Sequence, residues 1–264
     1  MDVANKLREL GVKPVSGQNF LNNEHVIEAL VAAGEVEDQE VLEIGPGLGA
    51  ITEKLSEKAD KVVAVERDTT LYNHLEEKFE DSNVELQNED ILEYGIPDVD
   101  RCVSNLPFKI SSEVLERLGK KQVQSALILQ KELADRIVAD PGEKDYGRLT
   151  VMVNYYFIPV KLRDVGSKNY YPSPEVETSI VKLYPNRERH GIEDEDFFFK
   201  ITRALFTNKM KKARNAFVDS RHILEISKDR AKELRDDIPH SETRVVKLDI
   251  RKIVEITEFL EDKI

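Results

Sequence analysis

The stretch Glu43–Gly49 reads EIGPGLG and overlaps the end of an apolar run, Val41–Ile44, that has the length of a buried strand. A helical pattern, Ala50–Lys58, follows directly. Gly45 and Gly47 allow the backbone to turn tightly and to approach a ligand without an intervening Cβ. A strand, a glycine turn and a helix in this order predict a βα unit whose turn binds a nucleotide-like cofactor. A glycine-rich turn that binds nothing is the alternative.

Strand-like and helix-like segments alternate through the first 185 residues. The predicted strands are short apolar runs: Val41–Ile44, Lys61–Glu66, Val84–Gln87, Arg101–Ser104 and Ser125–Gln130. The predicted helices between them include Ala50–Lys58, Thr70–Phe79 and Ser111–Leu118. Such alternation favours an α/β fold with a parallel sheet covered on both faces. Two later runs, Thr150–Val160 and Ser179–Leu183, have no long helical pattern between them, so we expect an antiparallel pair at the sheet edge.

The turn at 184–186 marks a change of pattern, because only helix-like segments follow it. They are Asp194–Phe206, Asn208–Asp219, Asp229–Arg235 and Ile250–Leu260. We therefore expect two domains: residues 1–185 with the sheet, and a small all-helical domain at residues 186–264.

The composition narrows the class of protein. Cys102 is the only cysteine, which excludes an internal disulfide and a cysteine-cluster metal site, and we expect no bound metal. No apolar run approaches the 18 or so residues of a membrane span. We expect a cytoplasmic protein, a monomer, that does not bind membranes.

The formal net charge is −12, which is unfavourable for binding nucleic acid. Residues 186–264 are nearly balanced, with 18 basic and 17 acidic residues, whereas residues 1–185 carry 21 and 34. Four basic residues cluster in the tail: Lys209, Lys211, Lys212 and Arg214. Helical spacing would place Lys211 and Arg214 on a shared side, with Lys212 close by. The cluster is either an RNA-binding patch or a solvated helix face.

Two carboxylates follow later predicted strands. Glu66 ends the second strand, where it can accept hydrogen bonds from both hydroxyls of a ribose. Asp90 follows the third strand and can accept a hydrogen bond from the exocyclic amine of a cofactor adenine. An N-cap for the next helix explains Asp90 equally well. NAD enzymes and S-adenosylmethionine enzymes share these features, so the carboxylates do not choose between the two cofactors.

The run Asn105–Phe108 (NLPF) follows the fourth strand and indicates the chemistry. The N6 amine of adenine is a poor nucleophile, because its lone pair is delocalised into the ring. The Asn105 Oδ1 and the Leu106 carbonyl, each accepting one N–H, would favour a tetrahedral nitrogen. Pro107 stiffens the loop, and Phe108 offers a face on which an extruded base stacks. A proline-containing loop with a core phenylalanine is the structural alternative.

These motifs, with the upstream Gln18–Leu21, resemble the small-subunit ribosomal RNA adenine dimethyltransferases. The resemblance extends from Gln18 to Leu183, through Gln130–Glu132, Tyr146–Leu149 and the proline-rich Tyr171–Val176, and more weakly to Asn215. It implies a Rossmann-like class I methyltransferase domain with an antiparallel edge strand, followed by a helical domain that holds RNA. This chain has Phe108 where the family often has tyrosine.

The resemblance also implies S-adenosylmethionine as cofactor and two adjacent adenosines near the 3′ end of small-subunit rRNA as substrate, in a pre-30S-like particle. The expected cofactor-binding residues are Gln18, Asn19, Leu21, Gly45, Gly47, Glu66, Asp90, Ile91 and Asn105. The expected catalytic residues are Asn105, Leu106, Pro107 and Phe108. The expected RNA-binding residues are Lys209, Lys211, Lys212 and Arg214.

Three alternatives remain open. One is a large-subunit rRNA methyltransferase with the same chemistry. Another is a non-catalytic relative that assists ribosome assembly or transcription. An NAD-dependent dehydrogenase is the third, although all five histidines lie outside the motifs, and it needs a proton relay beside the site.

Overall fold

The computed structural model describes residues 2–14, 18–187 and 191–264. The chain divides into two compact units, one of residues 1–134 and 158–185 and the other of residues 135–157 and 186–264. The second unit thus includes residues 135–157, which the sequence analysis places in the first domain.

The first unit is built on a mixed seven-stranded sheet of order β4-β3-β2-β5-β6-β9-β7. Its strands are β2 (Glu40–Ile44), β3 (Lys61–Val65), β4 (Val84–Gln87), β5 (Arg101–Asn105), β6 (Gln124–Gln130), β7 (Phe157–Val165) and β9 (Thr178–Pro185). The strands from β4 to β6 run parallel, and β9 runs antiparallel to β6. This confirms the expected fold class. The central strands are almost continuously apolar because both faces of the sheet are covered.

A second, two-stranded sheet pairs residues 20–21 with residues 170–171. Its strands are β1 (Phe20–Leu21) and β8 (Tyr170–Tyr171), which run antiparallel. Phe20 lies opposite Tyr171, and Leu21 lies opposite Tyr170. The Phe20 ring also lies against Gly47 of the glycine turn, although the two residues are far apart in the chain.

The helices of the first unit are α1 (Val3–Glu9), α2 (Glu24–Gly34), α3 (Ala50–Ser56), α4 (Thr69–Lys78), α5 (Ile91–Tyr94) and α6 (Ser111–Lys121), with the start of α7 (Lys131–Ile137). α2 buries Leu30 and Val31 in the main core, which also contains Val103 and Ile128 of the sheet. Asp68 caps α4 by accepting the N–H groups of Thr70 and Leu71.

The expected strand Thr150–Val160 is wrong over most of its length. Residues 148–156 form helix α8 (Arg148–Tyr156), and the strand begins only at Phe157. The Thr150 hydroxyl accepts the Gly147 N–H and fixes the first turn of the helix. A short apolar run does not separate a buried helix from a buried strand, so the packing decides.

The second unit is helical, and its packing explains the position of α8. Its further helices are α9 (Glu195–Phe206), α10 (Ala213–Asp219), α11 (Lys228–Leu234) and α12 (Ile250–Glu261). Tyr155 and Tyr156 form ring contacts with Phe199, and their hydroxyls donate to the Glu195 carboxylate. α8 therefore belongs to the helical core although strands follow it in the chain.

The expected helix Asn208–Asp219 begins five residues later, at Ala213. Residues 209–212 instead form tertiary backbone bonds. The carbonyl of Lys209 accepts the Val246 N–H, and the carbonyl of Lys211 accepts the Val245 N–H. These bonds use carbonyls that an α-helix would direct to residues four positions later, so tertiary pairing overrides the local helical pattern.

In the part of the chain that the structure describes, no helix has the length and apolar character needed to cross a membrane.

Candidate active site

The glycine turn joins the end of β2 to the start of α3. Gly45 and Gly47 have φ values of 69° and 62°, in the left-handed region that favours glycine. A Cβ on Gly47 would lie 3.1 Å from the ring of Phe20, so the absence of a side chain also allows the β1 strand to approach. The turn therefore requires glycine for its conformation and for its packing.

A cavity of about 720 Å³ opens at the carboxyl ends of β2, β3 and β5. This edge of a parallel sheet is where open α/β folds bind their ligands. The cavity is lined by every residue expected to bind the cofactor or the target base, namely Gln18, Asn19, Leu21, Gly45, Gly47, Glu66, Asp90, Ile91, Asn105, Leu106, Pro107 and Phe108. The structure thus brings these residues together, and their individual roles remain predictions.

Glu66 lies at the end of β3 and is 7% exposed. Its Oε2 accepts the N–H of Gly47 over 3.0 Å, and its Oε1 accepts the N–H of Asp68 over 2.9 Å. Burial raises the pKa of the Glu66 carboxyl above its ordinary value. Each carboxylate oxygen has a second lone pair, so the fixed side chain can still accept two ligand hydroxyls.

Asp90 combines the two interpretations that the sequence left open. Its Oδ1 accepts the Leu92 N–H over 2.9 Å and so caps α5. Its Oδ2 accepts from the Arg67 guanidinium over 3.1 Å. The Leu92 N–H and the Arg67 cation hold the pKa of Asp90 below its ordinary value. Asp90 is therefore an N-cap that also presents a carboxylate to the cavity.

Asn105 ends β5, and its side chain makes one hydrogen bond within the part of the chain that the structure describes. The Nδ2 donates to the backbone carbonyl of Asn19 over 3.1 Å. A carbonyl only accepts, so this contact fixes which end of the amide points away from residue 19. The Oδ1 is buried and has no hydrogen-bond partner among the described residues. A buried, unsatisfied acceptor in a cavity wall marks a position for a donor from a ligand.

Hydrogen bonds to β6 and to the start of α6 fix the loop after Asn105. Leu106 is buried and donates its N–H to the carbonyl of Ile128 over 3.2 Å. The Pro107 carbonyl accepts from the Ser111 hydroxyl over 3.1 Å and from the Ile110 N–H over 3.2 Å. Phe108 is half-buried and lines the cavity. The loop therefore presents one aromatic side chain from a fixed backbone.

Several lining residues were not predicted. α1 packs Val3 and Leu7 against Phe20, Leu48 and Leu71, and Val3 reaches the cavity. The apolar spacing of α1 is the signal that could have identified this helix. The charged lining residues Lys54 and Arg67 were also missed, since each lies beside a motif and outside its pattern.

Glu43 lies behind the glycine turn and is 1% exposed. Its Oε2 has no hydrogen-bond partner in the described chain. Burial raises the pKa of Glu43 to about 8, and the nearby Glu66 carboxylate acts in the same direction. The Glu43 carboxyl therefore holds its proton at neutral pH.

The four residues expected to bind RNA lie in the second unit, and each has a partner there. Lys209 donates to the carbonyls of Lys144 and Tyr146 over 2.7 and 2.9 Å. Lys211 pairs with Asp219 over 2.6 Å.

The remaining two share one carboxylate, Glu242. Lys212 pairs with Glu242 over 2.5 Å, and Arg214 contacts both Glu242 and Asp236. Exposed ion pairs of this kind contribute at most about 1 kcal/mol each, so they do not exclude exchange for phosphate. The RNA-binding role of this cluster stays a prediction.

Comparison with known proteins places these observations in a family. The model of the ribosomal RNA adenine dimethylase family matches residues 11–262. A probable ribosomal RNA small subunit methyltransferase A of Thermococcus sibiricus is 36% identical over 264 residues, covering 97% of this chain and 96% of the relative.

Two solved structures share the fold. A dimethyladenosine transferase from Plasmodium falciparum superposes with a TM-score of 0.83 at 25% identity, covering 92% of this chain and 98% of that chain. The 23S rRNA methyltransferase ErmE superposes with a TM-score of 0.67 at 24% identity, covering 92% and 100%. The second likeness concerns the fold alone.

Proposed function

The chain belongs to the ribosomal RNA adenine dimethylase family, and on this basis we propose that it transfers methyl groups from S-adenosylmethionine to adenosine N6 amines of small-subunit rRNA. Two adjacent adenosines in a hairpin near the 3′ end are the expected targets, each dimethylated. Family membership excludes the NAD-dependent dehydrogenase among the alternatives.

The unsatisfied Oδ1 of Asn105 is the observation that carries the proposal. The amide is oriented by the Asn19 carbonyl, which leaves its buried oxygen as an acceptor without a donor in a residue that lines the cavity. An adenine amine has two N–H donors, and the Leu106 carbonyl is the natural second acceptor. Holding both N–H groups favours a tetrahedral nitrogen whose lone pair is free to attack a methyl carbon. Because this preference grows as the nitrogen becomes tetrahedral, the contact stabilises the transition state.

Phe108 and Pro107 position the base in this proposal. An adenosine within a helix has to leave its stack before N6 reaches the cavity, and an aromatic face compensates for the lost stacking. The backbone hydrogen bonds of Leu106 and Pro107 fix the backbone that carries the Phe108 ring. No general base is required, because the methylated ammonium is acidic and loses its proton to solvent.

The residues at the other end of the cavity fit the cofactor. Glu66 is held by two backbone N–H groups and retains lone pairs for ribose hydroxyls, while Asp90 presents an acceptor for an adenine amine. Gly45 and Gly47 line the cavity, and their positive φ values form the tight turn at its edge. When bound, S-adenosylmethionine supplies an electrophilic methyl group on a positively charged sulfur. The cavity volume of about 720 Å³ is within the usual range for cofactor sites.

The proposal is tested by incubating the protein with methyl-labelled S-adenosylmethionine and small subunits that lack the modification. Label on the N6 positions of two adjacent adenosines near the 3′ end of the small-subunit rRNA is the expected result. Large subunits form the control, and label confined to them favours the large-subunit alternative. Absence of label on either subunit favours the non-catalytic assembly or transcription factor.

The proposal also covers the oligomeric state of the enzyme and the assembly stage of its substrate particle. We expect the protein to act as a monomer. We expect its substrate to be a pre-30S-like particle, because the target hairpin has to be accessible. Sedimentation of the protein alone, and of the labelled particles, measures both properties.

A further inference from the structure

The charged residues that line the cavity are distributed unevenly along the chain. Six carboxylates line it, all between residues 24 and 90: Glu24, Glu53, Glu66, Asp68, Glu89 and Asp90. The lining segment 105–110 contains no carboxylate, and its only charged residue is Lys109. The lining segment from β5 and its loop is therefore neutral to positive. Four of the six carboxylates follow β3 or β4, and the other two, Glu24 and Glu53, belong to α2 and α3.

Three cations line the cavity, and two of them are paired. Lys54 lies 3.7 Å from Glu24 and 3.5 Å from Glu57. Arg67 lies 3.1 Å from Asp90. Lys109 is exposed and has no ion pair or hydrogen bond with any residue in the ranges that the structure describes. It is the one lining cation, among those ranges, whose charge is not already offset by a carboxylate.

We propose that Lys109 binds a phosphodiester group of the RNA beside the target adenosine, and that the RNA reaches the cavity along the wall formed by residues 105–110. This inference rests on the proposed function and adds a substrate-binding residue to it. A base held by Asn105 and Phe108 brings its own backbone phosphates to the mouth of the cavity next to them. Lys109 lines the cavity and is exposed, so its ammonium is accessible there.

Electrostatics supports this direction of approach. A phosphate at the ends of β3 and β4, which lie across β2 from β5, would face four carboxylates, and like charges in close contact cost several kcal/mol. The segment 105–110 instead offers the phosphate one unpaired cation and contains no carboxylate. In a protein with a net charge of −12, an unpaired lysine at this position gives the RNA a local attractive contact.

The test compares Lys109→Gln with Lys121→Gln, using labelled S-adenosylmethionine and small subunits that lack the modification. Lys121 is a suitable control because it is exposed at the end of α6 and has no ion pair with the described residues. Both substitutions remove one positive charge from the first unit.

Lys109→Gln is expected to raise KM for the subunits about 3- to 10-fold, the range between an exposed ion pair and a hydrogen bond to a charged group. A contact made equally in the ground and transition states leaves kcat unchanged. The slope of log affinity against log salt should fall by about 0.7–0.9, the value for one phosphate. Lys109→Arg should restore both values, and calorimetry should show unchanged binding of S-adenosylmethionine.

Equal salt slopes for Lys109→Gln and Lys121→Gln overturn the inference and leave the proposed function intact. A loss of cofactor affinity in Lys109→Gln, with an unchanged salt slope, overturns it as well. If the wild-type protein labels no subunit, the proposed function fails and this inference fails with it.

Discussion

The side-chain amide of Asn105 donates to the backbone carbonyl of Asn19 over 3.1 Å, which joins the end of β5 to the segment that leads into β1. The contact orients Asn105 without using the side chain of residue 19. Its consequence is that the acceptor oxygen of the amide is buried and has no donor among the described residues. An aspartate at this position would present an oxygen to the Asn19 carbonyl and lose the contact.

Substitutions of Asn105 test this relationship. Asn105→Ala should keep the fold and reduce single-turnover methyl transfer by about 10²-fold or more, because it removes an acceptor that acts most strongly in the transition state. Asn105→Asp should lose a comparable factor, since it keeps an acceptor but repels the Asn19 carbonyl. Transfer at the wild-type rate in Asn105→Ala shows that the amide has no catalytic role.

Glu66 is expected to contribute to cofactor affinity. Glu66→Ala removes two hydroxyl acceptors and leaves the Gly47 and Asp68 N–H groups without their partner, so we expect a loss of about 2–3 kcal/mol in S-adenosylmethionine binding. Isothermal calorimetry measures the change. Glu57→Gln, an exposed carboxylate on the same unit, serves as the control. Equal affinities in the wild type and Glu66→Ala would remove Glu66 from the site.

Phe108 is expected to act through its aromatic face. Phe108→Ala should weaken the base contact by about 1–3 kcal/mol, measured as a rise in KM for undermethylated small subunits. Phe108→Tyr keeps the aromatic face and should remain active. An inactive tyrosine variant beside an active alanine variant contradicts the stacking role.

The sequence predicted most of the α/β core and the shared location of the site residues. The strands around Glu43–Gly49 have the short apolar runs of a parallel sheet, and their predicted bounds lie within about one residue of those observed. The motif spacing also places Glu66 and Asn105 at one sheet edge. These features depend on the local residue pattern and on the order of the strands along the chain. Both can be observed in the sequence itself.

The errors have a common physical cause. Residues 150–156 and 209–212 adopt structures set by partners distant in the chain, namely α9 for the first and residues 245–246 for the second. The orientation of Asn105 and the pairing of Arg67 with Asp90 likewise depend on contacts between separate segments. Local periodicity does not determine such contacts, so the sequence predicted which residues meet and not how they bond.

Glu43 gives a prediction for stability. Its pKa rises from an ordinary value of 4.5 to about 8 in the folded protein because burial disfavours the charged form. Below pH 4.5 the carboxyl is protonated in the folded and the unfolded state, so it does not change the free energy of unfolding with pH. As pH rises from 4.5 to 8 the unfolded chain loses the proton and the folded protein retains it, so the free energy of unfolding falls.

Glu43→Gln lacks this titration, so its stability relative to the wild type should increase over the same pH range. The difference should grow by about 1.4 kcal/mol for each pH unit between the two pKa values. Denaturant unfolding at several pH values measures it. A difference between the two proteins that does not vary with pH shows that Glu43 titrates normally.

The basic cluster of the second unit is the last prediction. If Lys211, Lys212 and Arg214 bind phosphate, they have to exchange Asp219, Glu242 and Asp236 for RNA. Their joint replacement by glutamine should then weaken association with small subunits and lower the salt slope by about one unit for each lost phosphate contact. Binding of S-adenosylmethionine should not change.

A matched variant separates this role from a structural one. Replacing the three partner carboxylates with asparagine or glutamine keeps the cations and removes their competitors, so RNA association should strengthen. If the cluster is only a solvated ion-pair network, both triple variants should bind small subunits with the wild-type affinity and salt slope. In that case the phosphate contacts lie elsewhere, and the first place to examine is the loop that carries Lys109 together with the exposed Tyr171.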